Sequence, residues 1–520
     1  MYTHLYSSSV APILRSRQCS QGPRKLTNGP LDASYDPDMH RIIGIVSTIA
    51  FLMVSSGSAS TVPPTHPLAT GFMDTVAFRG EDGDVAFEHA KDAGASTVRI
   101  PLIWRNVAPV VRPSGFVAGN PDDPSYDWTT FDRQVKLARS HGLEPMLDIV
   151  QAPGWAEGVR DDAAYPGNSY VDHRQLGVFA RAAALHYGGS SGGVPRVRVW
   201  QVWNEPNLSV YLAPTVTAPI RYRAMVNATA DAIHSVHADN LVVAGLQSPF
   251  GHKKGEVKGL EGMAPMEFMR KMLCMSTGTS PRSACSARST FDVWAHHPYT
   301  SGGPTHSAYR PDDASLGDLP EMKQLLDAAV KAGHVRSNRT VQFWVTEFSW
   351  DSAPPDPKGV PLALHARWVS EALYRSWQAG VSLFSWLLLR DEPFGGNAYC
   401  QCGLYLRGDT VAQDKPKPAL QAFRFPFVAF SQPNKTVSFW GRTPGSDAKP
   451  LVVEQGSGSD WKTVATVRSN RYGIFQGTYP SAAKTGYVRA RIVGGDTGDT
   501  ARPFGLRVPP DRDICAFGTC

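Results

Sequence analysis

The chain has 520 residues, of which 42% are hydrophobic and 19% are charged. This balance is typical of a globular protein with a sizeable core, since a largely disordered chain carries fewer apolar residues and more charge. The formal net charge is +6, from 52 Lys and Arg residues against 46 Asp and Glu residues. Because no Lys/Arg-rich run accompanies this small excess, the composition argues against a nucleic-acid partner.

An apolar run near the N-terminus is the first segment with a clear signal. Residues 42–54 are apolar, follow a basic stretch that starts at Met39, and precede small residues that end at Ser60. This is the pattern of a secretory signal, and the run is shorter than the ~20 residues of a membrane span. We therefore expect Met39–Ser60 to direct secretion and no stable membrane insertion after cleavage. An uncleaved N-terminal anchor is the alternative.

From about residue 66 to residue 428, short β-branched runs alternate with helical patterns. The eight predicted strands are Ala69–Met73, Ser96–Ile100, Glu144–Ile149, Arg196–Val202, Leu241–Leu246, Phe291–Ala295, Val341–Thr346 and Val381–Trp386. Predicted helices between them include Asp84–Ala93, Trp128–Ser140, Val171–Tyr187, Pro219–Val236, Leu319–Ala332 and Leu362–Gln378. Eight strands alternating with helices predict an α/β fold, a (β/α)₈ TIM barrel.

The predicted barrel is longer than the ~250 residues typical of this fold, so long loops must follow some of its strands. Three such loops are predicted, at Arg105–Asp127, Ser248–Thr290 and Ser352–Pro361. These loops lie after strands, which places them at the carboxyl end of the barrel, where active sites of this fold are found.

The C-terminal part has a different pattern, with short strands separated by Gly, Ser, Asp and Pro and without long helices. Its predicted strands are Val437–Trp440, Leu451–Gln455, Lys462–Val467, Gly473–Thr478 and Gly486–Val493. This spacing predicts a small antiparallel β-sandwich. The domain prediction is therefore an N-terminal extension with the secretion signal at 1–60, a catalytic barrel at 61–430 and a β-sandwich at 431–520.

Six of the seven cysteines form three pairs that are close in sequence. The pairs are Cys274 with Cys285, Cys400 with Cys402, and Cys515 with Cys520. Local disulfides suit an oxidising compartment, which agrees with secretion. The spacing is not that of a zinc site, so no metal is predicted there.

Two acidic residues stand where predicted strands end. Val199–Val202 leads through Trp203 to Asn204 and Glu205, and the strand before Thr346 leads to Glu347. These are the fourth and seventh predicted strands, whose carboxyl ends face each other across the mouth of a barrel. We therefore expect the two carboxyl groups to share one pocket.

A pair of facing carboxyl groups is the requirement for cleaving a glycosidic bond. One group protonates the leaving oxygen, and the other is a nucleophile at ~5–5.5 Å or a base at ~6.5–9.5 Å. Mutual repulsion and burial separate the two pKa values, so that one group is protonated while the other is ionised. Two buried glutamates in ion pairs are the alternative reading, which the flanking aromatic residues and Asn204 disfavour.

The sequence resembles the retaining glycoside hydrolases of clan A. The Asn204-Glu205-Pro206 segment resembles their acid/base strand, and Glu347 resembles their nucleophile. Arg99 is similar to the second-strand arginine of family 5, which steadies the nucleophile. The Trp-Asn-Glu-Pro-Asn segment that contains Glu205 and the Pro-x-Trp segment that ends at Trp155 look more like family 39.

Further matches to the clan follow in chain order. His297 and Tyr299 resemble its sixth-strand His-x-Tyr, and Trp386 resembles the eighth-strand tryptophan beneath the sugar. The resemblance implies that Asn204 bonds the sugar 2-hydroxyl and that Arg99 and Tyr299 donate to Glu347. Trp155 and Trp386 are the candidate stacking surfaces, with core packing as the alternative for each.

These observations and the resemblance together predict a secreted retaining O-glycoside hydrolase that acts on a β-linked carbohydrate. Glu347 is the expected nucleophile and Glu205 the expected acid and base, with no metal or organic cofactor. We expect a monomer. The alternatives are a non-catalytic carbohydrate-binding or cell-surface barrel and a transglycosylase that uses the same intermediate.

Overall fold

A closed barrel of eight parallel strands forms the centre of the protein in a computed structural model, which describes residues 66–161, 164–190, 193–252, 261–394, 400–445 and 447–509. Each strand pairs with the next along the chain, and the last pairs with the first. The strands are β1 (Ala69–Met73), β2 (Thr97–Ile103), β3 (Glu144–Val150), β4 (Val199–Val202), β5 (Leu241–Gln247), β6 (Val293–His296), β7 (Gln342–Val345) and β8 (Val381–Leu387). The predicted TIM barrel is confirmed.

Helices follow the strands around the barrel. They are α1 (Gly83–Asp92), α2 (Trp104–Val107), α3 (Thr129–Ser140), α4 (His173–His186), α5 (Ala218–Val236), α6 (Pro265–Leu273), α7 (Leu319–Lys331), α8 (Leu362–Gln378) and α9 (Pro418–Arg424). Helix α6 lies within the stretch Ser248–Thr290 that was predicted as a loop. Its Phe268, Met269, Met272 and Leu273 are buried, so this segment packs as an amphipathic helix.

The ends of the helices follow from local chemistry. The carboxylate of Asp172 accepts hydrogen bonds from the backbone N–H groups of Arg174 and Gln175 and so caps the start of α4. Gly142 and Gly380 follow α3 and α8 with φ of 69° and 90°, a region that side chains disfavour. These glycines turn the chain from each helix into the next strand.

Side chains alternate between the inside and the outside of the barrel along each strand. At the amino ends of the strands, the inside is filled by a buried apolar cluster. Its members are Met146, Val199, Val243, Leu246, Val293, Ala295, Trp344 and Leu383. The barrel is therefore closed at this end by packed side chains, and any pocket must open at the carboxyl ends.

Two antiparallel sheets make up the C-terminal part. One contains β9 (Phe427–Ser431), β10 (Thr436–Arg442) and β13 (Ile474–Pro480), and the other contains β11 (Pro450–Ser457), β12 (Asp460–Arg468), β14 (Tyr487–Ile492) and β15 (Phe504–Gly505). Tyr479 of the first sheet donates to Gln455 of the second at 3.0 Å, which links the two sheets. The predicted antiparallel β fold is confirmed. Strand β9 spans residue 430, where the sequence placed the domain boundary.

The C-terminal sheets pack on the outside of the barrel. The ring of Trp440 in β10 lies 5.4 Å from the rings of both Tyr374 and Trp377 in α8. Arg442 donates to the carbonyl of Leu68 at 3.2 Å, just before β1 begins. Since that contact is at the amino end of β1, these sheets support the barrel at the end opposite to the predicted pocket.

Two of the three predicted disulfides are present, Cys274 with Cys285 and Cys400 with Cys402. The third pair, Cys515 with Cys520, lies outside the described residues, as does the predicted signal Met39–Ser60. Among the helices of the described residues, none combines the length and apolar character that crossing a bilayer requires.

Candidate active site

Glu205 is placed by the turn that follows β4. Its backbone N–H donates to the carbonyl of Leu246 on the neighbouring strand at 3.0 Å. The backbone at Trp203 and Glu205 is left-handed, with φ of 70° and 37°, and the Trp203 indole donates to the carbonyl of Tyr211 at 2.6 Å. Such strained backbone needs support from its surroundings, and these bonds supply it. The turn thereby fixes the carboxyl group of Glu205 at the mouth of the barrel.

The same turn is tied to the next loop by Asn207. Its side chain is fully buried, and its amide donates to the carbonyls of Ser248, Phe250 and Met263 at 3.2, 3.3 and 3.1 Å. Its carboxamide oxygen accepts from the backbone N–H of Ser248 at 2.9 Å. Every polar atom of this side chain is used to hold the two loops together.

Glu347 receives hydrogen bonds on both oxygens of its carboxyl group. Arg99 donates to Oε2 at 2.8 Å, and the hydroxyl of Tyr299 donates to Oε1 at 2.8 Å. The two donors, one on each oxygen, therefore hold the carboxyl group of Glu347 in a fixed orientation.

Arg99 connects β2 with β3 and with the segments that follow β4 and β7. Besides Glu347, its guanidinium donates to Oδ1 of Asn204 at 2.8 Å and to Oδ2 of Asp148 at 2.5 Å. It is 1% exposed, so this charge is compensated inside the protein. The carboxyl group of Asp148 was not among the residues predicted for the site, although an acidic residue within the apolar run Met146–Val150 was a signal for it.

His297 lies between the two glutamates. Its Nδ1 is 3.1 Å from Oε1 of Glu205 and 3.8 Å from Oε2 of Glu347, and its Nε2 is 3.5 Å from the guanidinium of Arg99. Burial and the charge of Arg99 hold the pKa of His297 well below its usual range, so the ring is neutral. The adjacent His296 faces the other side of β6 and contacts the carbonyl of Ala314 at 2.8 Å.

The two glutamates have different electrostatic surroundings. Burial, and secondly the charge of Glu347, raise the pKa of Glu205 well above its usual value, while Arg99 acts in the opposite direction. Burial and the charge of Glu347 also raise the pKa of the Tyr299 hydroxyl. The raised pKa favours the protonated form of Glu205, beside a Glu347 carboxyl group that two donors hold in place.

The carboxyl groups are close together and largely enclosed. An oxygen of Glu205 and an oxygen of Glu347 lie within 4.8 Å of each other. The side chains of Glu205 and Glu347 are 11% and 5% exposed. This separation is shorter than the ~6.5–9.5 Å between carboxyl groups that activate a water molecule on the far face of a sugar.

Among the residues that the structure describes, two groups of side chains have the composition of metal ligands. Glu205, His297 and Glu347 form one, but the guanidinium of Arg99 bonds to Glu347 and places a positive charge where a cation would sit. The second group is Asp351 with Cys400 and Cys402, whose sulfur atoms are joined to each other. Neither set fits a resident metal ion.

The two predicted stacking residues are placed differently. Trp155 lies in the loop after β3, is half-buried and contacts the loop after β2, since its indole donates to the carbonyl of Pro109 at 2.9 Å and the guanidinium of Arg112 lies 5.1 Å from its ring centre. One face of the ring is therefore covered by an arginine, and the contacts of Trp155 are with that loop.

Trp386 does not lie where the sequence placed it. The residue is fully buried, and its ring packs outside the barrel, 5.7 Å from His365 of α8 and 6.2 Å from Phe423 of α9. Its indole donates to the carbonyl of Cys402 at 2.8 Å. The prediction that Trp386 lies beneath a sugar is wrong for this structure, because alternation along β8 turns its side chain away from the barrel interior.

No family model matches this chain, and no curated protein matches it. Among solved structures, it is similar to a family 39 glycoside hydrolase from the gut symbiont Bacteroides cellulosilyticus WH2, with 14% identity, a TM-score of 0.47, and coverage of 80% of this chain and 81% of that chain. A GH39 enzyme from Xanthomonas axonopodis pv. citri is also 14% identical, with a TM-score of 0.46 over 82% of this chain and 97% of that chain. A GH30 endoxylanase from Clostridium papyrosolvens C71 is 11% identical, with a TM-score of 0.40 over 80% of this chain and 94% of that chain. Similarities at this level do not establish a family, so the functional argument depends on the geometry of the site.

Proposed function

We propose that this protein is a retaining glycosidase that hydrolyses a β-linked carbohydrate by double displacement. The observation that carries the proposal is the pair of unlike carboxyl groups, Glu205 and Glu347, with oxygens within 4.8 Å of each other at the carboxyl end of the barrel. Retaining enzymes place their carboxyl groups ~5–5.5 Å apart, whereas inverting enzymes need ~6.5–9.5 Å for a water molecule. The observed separation favours retention.

In the first step, the carboxylate of Glu347 attacks the anomeric carbon while Glu205 protonates the departing oxygen. The bond from the sugar to the leaving group breaks as the bond to Glu347 forms. In the second step, Glu205 removes a proton from water, the water attacks the same carbon, and Glu347 is released. The raised pKa of Glu205 and the two donors to Glu347 suit these roles.

Asn204 is the proposed contact to the sugar next to the cleaved bond. Because a guanidinium has only donors, the bond from Arg99 turns the carboxamide oxygen of Asn204 toward it. The amide group of Asn204 then faces away from Arg99 and is available to a sugar hydroxyl. A bond to the 2-hydroxyl strengthens in the transition state and lowers the barrier.

We also propose that the protein is secreted. The sequence pattern of Met39–Ser60 and the two disulfides Cys274–Cys285 and Cys400–Cys402 support this location. Mass spectrometry of the protein from culture medium tests it, with an N-terminus at or just after residue 60 as the expected result. A mature protein that stays in the cell with residues 1–60 intact contradicts secretion.

A panel of aryl β-glycosides tests the activity. We expect at least one member to be hydrolysed, with the β-anomer as the first product in a proton NMR time course. A first product with the α-configuration contradicts the double displacement. The absence of hydrolysis across the panel, combined with sugar binding, favours a non-catalytic barrel, and transfer of the sugar to an added acceptor favours a transglycosylase.

A further inference from the structure

Asp148 is a buried acidic residue that the two-glutamate mechanism leaves without a role. It lies on β3, points into the barrel and is fully buried. Its Oδ2 accepts from Nη2 of Arg99 at 2.5 Å, while its Oδ1 has no hydrogen-bond partner among the residues that the structure describes. A buried carboxyl group with one bonded oxygen is costly to keep, which indicates that its single contact matters.

Asp148 contacts Arg99, which also bonds to two other residues of the site. One nitrogen of Arg99, Nη2, bonds to both Asp148 and Asn204, and the other, Nη1, bonds to Glu347. Because the guanidinium is planar and rigid, fixing one edge of it fixes the direction of all its N–H groups. Asp148 is the one of these three partners that does not face the substrate in the proposed mechanism.

We propose that Asp148 is a positioning residue whose carboxylate holds Arg99 in the orientation that places Glu347 and Asn204 for reaction. The inference rests on the proposed function of the two glutamates.

The proposed role of Asp148 predicts that activity depends on pH, because only the ionised carboxylate holds Arg99. Among the described residues, the charged and titratable groups that face Asp148 are Arg99 of β2, Glu347 after β7 and Tyr222 of α5. Burial raises the pKa of Asp148 to about 6, against the opposing effect of Arg99. Above this pH the carboxylate is ionised and holds Arg99, and below it the group takes up a proton and the hold weakens. We therefore expect kcat/KM to fall as the pH drops through about 6.

Asp148→Asn tests this role because it keeps the shape and removes the charge. At pH 7 we expect kcat to fall roughly tenfold with a smaller change in KM, and the decline near pH 6 to disappear from the profile. Asp292→Asn is the matched control, since Asp292 is also buried but bonds to His234 and Ser337 at the other end of the barrel. The control should keep the wild-type pH profile. A wild-type profile and kcat in Asp148→Asn overturn the proposal.

A crystal structure of Asp148→Ala gives a readout that does not depend on activity. We expect Nη1 of Arg99 to move beyond hydrogen-bond distance of Glu347, more than about 3.5 Å away. If Arg99 keeps its bonds to both Glu347 and Asn204 without Asp148, the proposal is refuted even if the protein is an active glycosidase. Conversely, the wild-type protein could be inactive on every substrate while Asp148→Ala still displaces Arg99. That result refutes the proposed function and supports the positioning of Arg99 by Asp148. The same measurement on Asp148→Asn serves if the alanine variant does not fold.

Discussion

The two ends of the barrel interior are built by the same strands and have opposite chemistry. On β3, Met146 belongs to the apolar cluster at the amino end, and Asp148, two residues later, bonds to Arg99 at the carboxyl end. Val293, the first residue of β6, and His297, which directly follows β6, divide in the same way. The alternation of side chains that places these residues inside the barrel does not distinguish the two ends.

The two ends of the barrel interior contribute with opposite sign to the free energy of folding. Packing the amino end with apolar side chains stabilises the fold, since each buried aliphatic side chain contributes about 1.5–3 kcal/mol. Burying Arg99, Asp148, Glu205 and Glu347 at the other end costs free energy, which the hydrogen bonds among them offset. A chain optimised for stability alone gains nothing from this cluster, so its presence favours a chemical role. Substitutions at the two ends should therefore have separable effects.

Glu347→Ala should have the largest effect on activity. We expect kcat/KM on an aryl β-glycoside to fall roughly 10⁵-fold, because the variant lacks the nucleophile. The melting temperature should change little, since Arg99 keeps its bond to Asp148. Wild-type turnover in this variant would show that another group attacks the sugar.

Glu205→Ala should distinguish substrates by their leaving groups. For a poor leaving group we expect a loss of ~10²–10⁴-fold, the usual contribution of a general acid. For an activated aryl glycoside the formation of the intermediate needs no proton, so that step should be nearly unchanged in a pre-steady-state measurement. An equal loss on both substrates would count against Glu205 as the acid.

Met146→Ala should affect stability and leave activity intact. Removing this fully buried side chain should lower the free energy of unfolding by about 3 kcal/mol, as measured by urea denaturation. At a temperature where the variant is fully folded, its kcat/KM should stay within about twofold of the wild-type value. A large loss of activity in the folded variant would mean that the two ends of the barrel are coupled.

The strands and the two facing glutamates could be predicted from the sequence because their signals are local. The β-branched runs predicted β1 with the bounds Ala69–Met73 that it has. Asn204 and Glu205 were recognised from the short motif that directly follows β4. Helix α8 was likewise predicted with the bounds Leu362–Gln378 that it has. Each of these features depends on a pattern within about twenty residues.

The features that could not be predicted from the sequence depend on strand register and on long-range contacts. Trp386 and Leu387 are neighbours at the end of β8, and only the pairing of β8 with β1 and β7 determines which one faces the interior. Asp148 stands out in the sequence as an acidic residue within an apolar strand, but its place in the site depends on its contact with Arg99. Helix α6 was hidden because its short apolar pattern lies in a stretch flanked by loop residues and a disulfide.

Trapping the covalent intermediate tests the central claim most directly. An activated 2-deoxy-2-fluoro β-glycoside slows both steps but releases its leaving group easily, so the sugar should remain attached to the nucleophile. Proteolysis and mass spectrometry should then find the added sugar on the peptide that contains Glu347, and no adduct in Glu347→Ala. An adduct on Glu205, or rapid turnover of the wild-type protein with inversion at the anomeric carbon, would contradict the account.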